Sequence, residues 1–264
     1  MKVFVSADIE GTNGIANWGE AEKHPVFNKR MTLEVAAVCE GINGHDPGAE
    51  ILVKDAHYHG DNIDHELLPR NAMLNKGFSG HPLNMMNLLD ESFDASILTG
   101  YHSPAGSEGN ILAHSMSRKF GRILINGELA SEFHFAYYTS LRFGVPMAMV
   151  AGDGYLARQA KAADGDILTV ATLEGFGASA TSPHPEKTRQ ELRETAKQAA
   201  ANAFQLKAKC AAKLPQAFDI EILYHDNHRA FRAAHYPGAS AKGARAIRYE
   251  AKDFMEILRL IIFV

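Results

Sequence analysis

The sequence predicts an α/β protein in which helices flank a mostly parallel sheet and a smaller α+β domain follows. Three observations predict this class. Short apolar runs alternate with helix-like segments through residues 1–163, as in a parallel sheet covered by helices. After Asp153 the pattern changes, and one long Ala-rich helix stands among mixed strands and helices. The 46% apolar composition of the 264 residues is ample for a buried core.

Five apolar runs predict the strands of the sheet. They lie at 2–7, 50–55, 95–101 and 146–151, with a weaker run at 72–75. Between the first two runs, residues 32–42 have the periodicity of a half-buried helix, and residues 82–89 show a similar pattern with proline in the first turn.

A hairpin and a helix are expected next. Residues 121–125 and the stretch beginning at Glu128 predict the hairpin, because Asn126-Gly127 supplies the positive φ values that a two-residue turn needs. A helix over 131–143 follows, and the glycine and proline just beyond it end the helix.

The remaining elements predict a mixed C-terminal region. In order, they are a helix at 154–163, a strand at 167–173, a helix at 185–209, a strand at 218–224, a helix at 227–234, a strand at 244–250 and a terminal helix. One face of the long helix is expected to be buried, and its residues are Leu192, Ala196, Ala199, Ala203 and Phe204. The predicted domains are therefore an α/β domain at 1–163 and a smaller α+β domain at 164–264.

Charge and composition exclude several partners. The formal net charge is −4 and no patch combines Lys/Arg with aromatic residues, so nucleic acid is not an expected partner. Cys39 and Cys210 lie far apart in helix-like segments, and we expect reduced core thiols.

The N-terminus begins directly with a strand pattern, without the order of a secretory signal, and no apolar segment approaches about 18 residues. We therefore expect a cytoplasmic protein without a membrane span. The apolar ending at 257–264 is expected to be the last part of a docked helix.

Asp8 and Glu10 lie one residue apart at the end of the first strand, just before Gly11. Positions i and i+2 of a strand share a face, so both carboxylates are expected to point the same way. Two neighbouring anions need a cation, or else the charge of one raises the pKa of the other. The pair predicts either a metal site or a dyad that shares a proton.

Two further strands end just before histidines, one before His57 and one before His102. The carboxyl ends of parallel strands meet at one edge of a sheet, where ligands bind. Three separate segments thus bring Asp8, Glu10, His57 and His102 to the same edge. Each histidine alone has an ordinary explanation as a packed polar residue, and His59 is an alternative to His57.

His114 and Glu132 are two more candidates. Glu132 begins a predicted helix, where a carboxylate would also complement the positive helix end. Imidazole and carboxylate donors suit zinc, manganese or iron(II). The donors exceed what one catalytic ion normally takes, whereas two ions about 3.5–4 Å apart would use them all and activate a shared water. His225, His228 and His235 are a weak metal signal, because nothing else converges there.

Several motifs occur in the order and with the spacing of a known family. The first is Ser6-Ala7-Asp8-Ile9-Glu10-Gly11, which matches a Ser-x-Asp-x-Glu-Gly opening. The later ones are Asp55-Ala56-His57, Gly100-Tyr101-His102, His114-Ser115-Met116, Ile125-Asn126-Gly127 with Glu132, and Val150-Ala151-Gly152-Asp153. Over essentially its whole length, the sequence resembles the DppA family of zinc-dependent D-aminopeptidases.

The resemblance implies a specific site and activity. The ligands of two zinc ions per subunit would be Asp8, Glu10, His57, His102 and Glu132, with Asp8 as the bridge. His114 would have a catalytic role, as base or nucleophile. The family further implies release of N-terminal D-amino acids such as D-Ala from short peptides, and a homodecamer of two stacked pentameric rings.

The expected reaction is metal-assisted hydrolysis of a peptide bond, in which His114 passes a proton from the attacking water to the leaving amine or attacks directly. Two alternatives remain at this point. Clusters of this kind also serve phosphoesterases, although no Gly-rich phosphate loop follows the first strand. The other alternative is a non-enzymatic protein of dipeptide uptake that binds peptides. A secreted protein of this kind would need an export signal.

Overall fold

The computed structural model describes residues 1–22 and 24–264. In chain order, its elements are β1 (Lys2–Ala7), α1 (Trp18–Ala21), α2 (Pro25–His45), β2 (Glu50–Asp55), β3 (Ala72–Asn75), β4 (Ala95–Tyr101), β5 (Phe120–Ile125), β6 (Glu128–Leu129), α3 (Glu132–Arg142), β7 (Met147–Asp153), α4 (Gly154–Ala163), β8 (Leu168–Phe176), β9 (Ser179–Thr181), α5 (Pro185–Cys210), β10 (Phe218–Tyr224), α6 (Asn227–Ala233), β11 (Ser240–Ala241), β12 (Ala246–Ala251) and α7 (Phe254–Phe263).

The larger sheet has seven strands within the described residues, in the order β3-β2-β1-β4-β7-β8-β9. Neighbouring strands from β3 to β8 pair in parallel, and β9 pairs antiparallel with β8. Parallel strands are buried on both faces and therefore form continuous apolar runs. The predicted mostly parallel sheet is confirmed.

Helices cover both faces of this sheet. On one face α2 packs against α5, and their apolar side chains join Val3 and Val5 of β1 in one core. On the other face Phe133 of α3 and Leu156 of α4 join Phe4 of β1 in a second core. Because successive residues of β1 point to opposite faces, the same strand belongs to both cores.

The smaller sheet is antiparallel, in the order β11-β12-β10-β5-β6. Its covered face packs on α6 and α7, and Ile220 and Ile257 are fully buried there. The terminal helix is therefore docked, as expected. Helix α3 lies between the two sheets, since Phe133 belongs to a core of the larger sheet and Phe135 to that of the smaller one.

The predicted turn and helix ends agree with the structure in most places. Asn126 and Gly127 have φ values of 52° and 84° between β5 and β6, which is the expected hairpin turn. Helix α2 is longer than the expected 32–42, because Pro25 occupies its first turn and extends the start.

The predicted helix at 82–89 is wrong. The structure has a 3-10 helix at Asn84–Met86 only, and Leu88 has a φ of 75°, outside the helical region. The carbonyl of Met85 accepts a hydrogen bond from the Ser6 hydroxyl (2.7 Å). Tertiary contacts to β1 thus take the place of the helical pattern.

The predicted buried face of α5 is also wrong in one residue. Phe204 is 65% exposed, whereas Leu192, Ala196 and Ala199 are fully buried. Residue 203 already occupies the buried stripe, and the next residue lies about 100° further around the helix.

Each of the two sheets contains segments from both predicted domains. Elements β8, β9 and α5 belong with the larger sheet, while β5 and β6 belong to the smaller one. The division at 1–163 and 164–264 stays a prediction. Cys39 and Cys210 are both buried. No helix among the described residues has the length and hydropathy that a bilayer span requires.

Candidate metal centre

The carboxyl ends of β1, β2 and β4 meet at one edge of the larger sheet. Ala7 is in register with Asp55 on one side and with Thr99 on the other. The backbone continues this pairing for one more residue, since the Asp8 amide donates to the Thr99 carbonyl (2.9 Å) and the Ala56 amide to the Ala7 carbonyl (2.8 Å). Residues that follow these strands therefore share one edge.

Glycines allow the segments after β1 and β4 to approach closely. A Cβ at Gly11 would overlap the carbonyl oxygen of Tyr101, and Gly100 has a φ of 71° beside the Asp8 carbonyl. The Gly11 amide donates to the Gly100 carbonyl (2.8 Å). The glycine after Glu10 is therefore required by the contact that brings Asp8 and Glu10 against the end of β4.

Glu132 reaches the same edge from the other direction. It is the first residue of α3, whose N-cap is Ser131, and its Oε1 accepts a hydrogen bond from the Met116 amide (2.7 Å). This bond ties the helix start to the segment that carries His114. The cluster is thus completed by the hairpin and helix that follow β4.

The side chains form two overlapping groups. His102 Nε2 lies 3.5 Å from Asp8 Oδ2 and 3.4 Å from Glu132 Oε2. One potential ligand atom each from Asp8, His102 and Glu132 lies within 4.8 Å of the others, and the same holds for Glu10, His102 and His114. His102 thus belongs to both groups.

His57 and His114 lie on either side of Glu10. His57 Nε2 is 3.3 Å from Glu10 Oε1, and His114 Nε2 is 4.0 Å from the same oxygen. His114 Nε2 is also 3.5 Å from Glu132 Oε1, and its ring stacks on His102 with 4.2 Å between centroids. The structure therefore brings all the sequence candidates together, including His57, while His59 is exposed to solvent.

Each of the three histidines has an acceptor for its Nδ1–H. The acceptors are Asn62 Oδ1 for His57 (3.2 Å), the Ser103 carbonyl for His102 (2.9 Å) and the Leu112 carbonyl for His114 (2.9 Å). Donation from Nδ1 leaves the Nε2 lone pair of a neutral imidazole facing the carboxylates. This is the tautomer that a metal ligand or a general base requires.

Buried polar atoms in the cluster lack partners. No described residue hydrogen-bonds to Asp8 Oδ2, Glu10 Oε2 or His102 Nε2, although all three atoms are removed from solvent. Leaving a buried polar atom unpaired costs about 1–3 kcal/mol, and more for a charged group. A divalent cation would pair with all of them, so the residues present fit a metal ion with oxygen and nitrogen ligands.

The carboxylates respond to this crowding in opposite ways. Burial, together with the charges of Glu10 and Glu132, raises the pKa of Asp8 well above its usual range. Burial also disfavours ionisation of Glu10, but its hydrogen bond to His57 and the imidazole charges outweigh this and hold the pKa of Glu10 well below its usual range. Asp8 is therefore the carboxyl of the cluster whose negative charge has the greatest need of a neighbouring cation.

The stacked imidazoles of His102 and His114 also differ in the direction of their pKa shifts. Burial lowers the pKa of His102, but the charge and hydrogen bond of Glu132, together with the charge of Glu10 and the Ser103 carbonyl, outweigh it and raise this pKa to about 9. Burial and the neighbouring His102 charge lower the pKa of His114. His114 is therefore neutral near pH 7, with a lone pair available to accept a proton.

The cluster opens into a cavity of about 340 Å³. Asp8, Glu10 and His114 form part of its floor, and Trp18, Glu22 and Arg118 lie among its other lining residues. Sequence reasoning missed Asn62, Trp18 and the Met116 amide, because no spacing in the chain connects them to the ligand candidates. His225, His228 and His235 are exposed and lie outside this cavity.

An α/β sheet whose strand ends hold buried carboxylates and imidazoles at an open cavity defines the protein as a metal-dependent hydrolase. The comparisons with known proteins specify the family. The chain belongs to Peptidase_M55, described as D-aminopeptidase, because the model of this family matches residues 1–263.

Two relatives agree with this assignment. The D-aminopeptidase of Bacillus subtilis (strain 168) is 27% identical over 99% of this chain and 96% of its own length. The solved structure of the Zn-dependent D-aminopeptidase DppA from Bacillus subtilis, described as a self-compartmentalizing protease, is similar with a TM-score of 0.89 and 25% identity, over 99% of this chain and 96% of the other. The resemblance of the sequence motifs is confirmed.

Proposed function

We propose that this protein is a zinc-dependent D-aminopeptidase that hydrolyses the first peptide bond of short peptides and releases N-terminal D-amino acids such as D-Ala. One observation carries the proposal: carboxylates and imidazoles from four segments of the chain form two overlapping groups beside one cavity, and His57 from a fifth segment lies next to Glu10. Membership of the D-aminopeptidase family and similarity to a Zn-dependent enzyme support the metal and the substrate class.

The proposed zinc ligands are Asp8, Glu10, His57, His102 and Glu132, two ions being bound per subunit. His102 lies beside Asp8 and Glu132, and His57 lies beside Glu10, so these five side chains would together hold the ions. This assignment is supported by the short distances of His102 to Asp8 and Glu132, and of His57 to Glu10.

His114 is the proposed general base. Zinc, when bound, supplies Lewis acidity that polarises the scissile carbonyl and lowers the pKa of water. His114 Nε2 faces the cavity and, because its pKa is lowered, accepts the proton of the attacking water near neutral pH. The Leu112 carbonyl stabilises the resulting imidazolium through Nδ1–H, and the proton then passes to the leaving amine.

Hydrolysis assays test the function. Purified protein is incubated with D-Ala-D-Ala, L-Ala-L-Ala and p-nitrophenyl phosphate, with and without a chelator. The expected result is cleavage of D-Ala-D-Ala that the chelator abolishes and added zinc restores. Cleavage that is insensitive to the chelator, exclusive hydrolysis of the phosphate ester, or no peptide cleavage at any zinc load would contradict the proposal.

Metal analysis separates the role of His114 from that of His102. His114→Ala is expected to retain zinc and lose most turnover, whereas His102→Ala is expected to lose zinc. A His114→Ala protein without zinc would make His114 a ligand. Trapping of an acyl-enzyme on wild-type protein with hydroxylamine would make it the nucleophile.

Assembly and location are further parts of the proposal. We propose a homodecamer of two stacked pentamers, as the family resemblance implies. Similarity to a structure described as self-compartmentalizing supports an oligomer, and the large exposed side chains Phe176, Phe231 and Phe263 would suit subunit contacts. Light scattering after size-exclusion chromatography tests the decamer, and a monomeric mass would contradict it. A role in peptide transport rests on the family resemblance, and a cytoplasmic location remains an expectation from the sequence pattern.

A further inference from the structure

The mouth of the cavity carries one guanidinium. Among its described lining residues Arg118 is the sole Lys or Arg, whereas Asp8, Glu10, Glu22 and Glu132 are acidic. A peptide with free ends has both a positive amine and a negative carboxylate. Asp8, Glu10 and Glu132 are the proposed metal ligands, so Arg118 is the one cationic side chain among the described lining residues that can pair with the substrate carboxylate.

Arg118 lies at a distance that suits a very short substrate. Its guanidinium is 4.6 Å from the centroid of the Trp18 ring, and the ring of His114 is 5.3 Å from the same indole. The guanidinium is therefore within about 10 Å of the His114 ring. Since one extended residue spans about 3.3–3.6 Å, a carboxylate one or two residues after the scissile bond lies within reach of Arg118.

The present partner of Arg118 is readily displaced. Its Nη1 lies 3.3 Å from Glu22 Oε1, and the two side chains are 58% and 43% exposed. Exposed ion pairs of this kind contribute about 0–1 kcal/mol. A substrate carboxylate can accept two parallel hydrogen bonds from the guanidinium and so replace Glu22. Stacking on Trp18 keeps the guanidinium at the cavity in either state.

We infer that Arg118 binds the C-terminal carboxylate of the substrate and thereby makes the enzyme selective for short peptides with a free acid end, with Glu22 as a competing internal ligand. The inference rests on the proposed peptidase function and adds the residue that recognises the acid end of the substrate. Arg118 contacts the non-reacting end of the substrate, so its contribution falls on binding rather than on the chemical step.

Binding is measured first, with ligands that cannot be hydrolysed. The probes are the reduced-bond analogue of D-Ala-D-Ala, in which a methyleneamine replaces the amide, and its C-terminal carboxamide. Isothermal titration calorimetry compares zinc-loaded wild type with Arg118→Gln, Glu22→Gln and Arg122→Gln. Arg122 is an exposed arginine of β5 outside the cavity and serves as the matched control.

We expect Arg118→Gln to weaken binding of the free acid about 10-fold, as when one charge-assisted hydrogen bond is lost, and to leave the carboxamide unchanged. Glu22→Gln should strengthen binding of the acid about 2- to 5-fold, because the competitor is removed. Arg122→Gln should change neither. Equal affinity of wild type for acid and carboxamide, or an equal loss for both probes in Arg118→Gln, would overturn the inference.

Turnover of D-Ala-D-Ala and D-Ala-D-Ala-amide separates this inference from the proposed function. The expected pattern is a higher KM for the acid alone in Arg118→Gln, with kcat retained. If wild type cleaves both peptides and Arg118→Gln behaves identically, the function stands and the carboxylate site fails. If wild type binds the acid analogue selectively but cleaves no peptide, the proposed function fails while the carboxylate site stands.

Discussion

Replacement of Glu34 by glutamine should stabilise this protein at high pH. Glu34 of α2 is buried against the loop that follows the Asp8–Glu10 segment, and its Oε1 accepts a hydrogen bond from the Asn13 amide (3.0 Å). Its Oε2 has no hydrogen-bond partner among the described residues. Burial raises the pKa of Glu34 to about 8, and the amide hydrogen bond and distant arginine charges offset only part of this effect.

The magnitude follows from linkage between protonation and folding. The folded protein binds the proton of Glu34 more tightly than the unfolded chain, whose carboxyl has a pKa of 4.5. The contribution of this group is therefore fully favourable below pH 4.5 and is lost as the pH rises through about 8. At 1.36 kcal/mol per pKa unit, the loss is about 3 kcal/mol at pH 7 and about 5 kcal/mol at pH 9.

Urea unfolding of wild type and Glu34→Gln at pH 5 and pH 9 measures this loss. Glutamine retains the Oε1 acceptor and cannot ionise, so the two proteins should agree within about 1 kcal/mol at pH 5. The variant should be more stable by about 3 kcal/mol or more at pH 9. Glu40→Gln, at an exposed position of the same helix, is the control for removal of a negative charge. The same stability difference at both pH values would refute the reasoning.

Three further substitutions test the supports of the site and fold. Asn62→Ala removes the acceptor of His57 Nδ1–H and should weaken zinc affinity about 10- to 100-fold by chelator competition, with unchanged affinity counting against the tautomer argument. Gly11→Ala places a Cβ on the Tyr101 carbonyl and should lower both the zinc content and the free energy of unfolding. A variant with full zinc content and normal stability would contradict this prediction. Ile257→Ala empties a fully buried position under the smaller sheet and should cost about 2–5 kcal/mol in urea unfolding; a loss below 1 kcal/mol, on the order of a surface substitution, would show that α7 is not firmly docked.

The larger sheet could be predicted from the sequence because its strands are short, apolar and separated by helical patterns. The runs at 2–7, 50–55, 72–75 and 95–101 coincide with β1, β2, β3 and β4. Parallel pairing places the carboxyl ends of these strands at one edge of the sheet. The sequence therefore predicts that the residues after the strands lie close together, without any measured distance.

The rest of the site depends on contacts that periodicity does not encode. His114 and Glu132 reach the cluster through a loop and a helix start that the Met116 amide joins. Asn62 is positioned by Asp55, which accepts hydrogen bonds from its amide and side chain (2.7 and 3.1 Å). Such local networks depend on backbone paths outside regular elements, where hydrophobic spacing gives no signal.

The same reason accounts for the wrong helix at 82–89 and for the strands that were not expected. Met85 and Met86 are buried in a single 3-10 turn that packs in the same core as Phe4 of β1, so their apolar character reflects tertiary packing rather than the face of an α-helix. Strands β9 and β11 have three and two residues at sheet edges. Segments that short carry too few alternating positions to be recognised.

The location of α3 makes the proposed metal centre depend on both sheets. Phe133 packs in a core of the larger sheet and Phe135 in the core of the smaller one, so the helix start that carries Glu132 is held from both sides. With Glu132 as a proposed ligand, bound metal would therefore stabilise the packing of the two sheets as well as the centre itself.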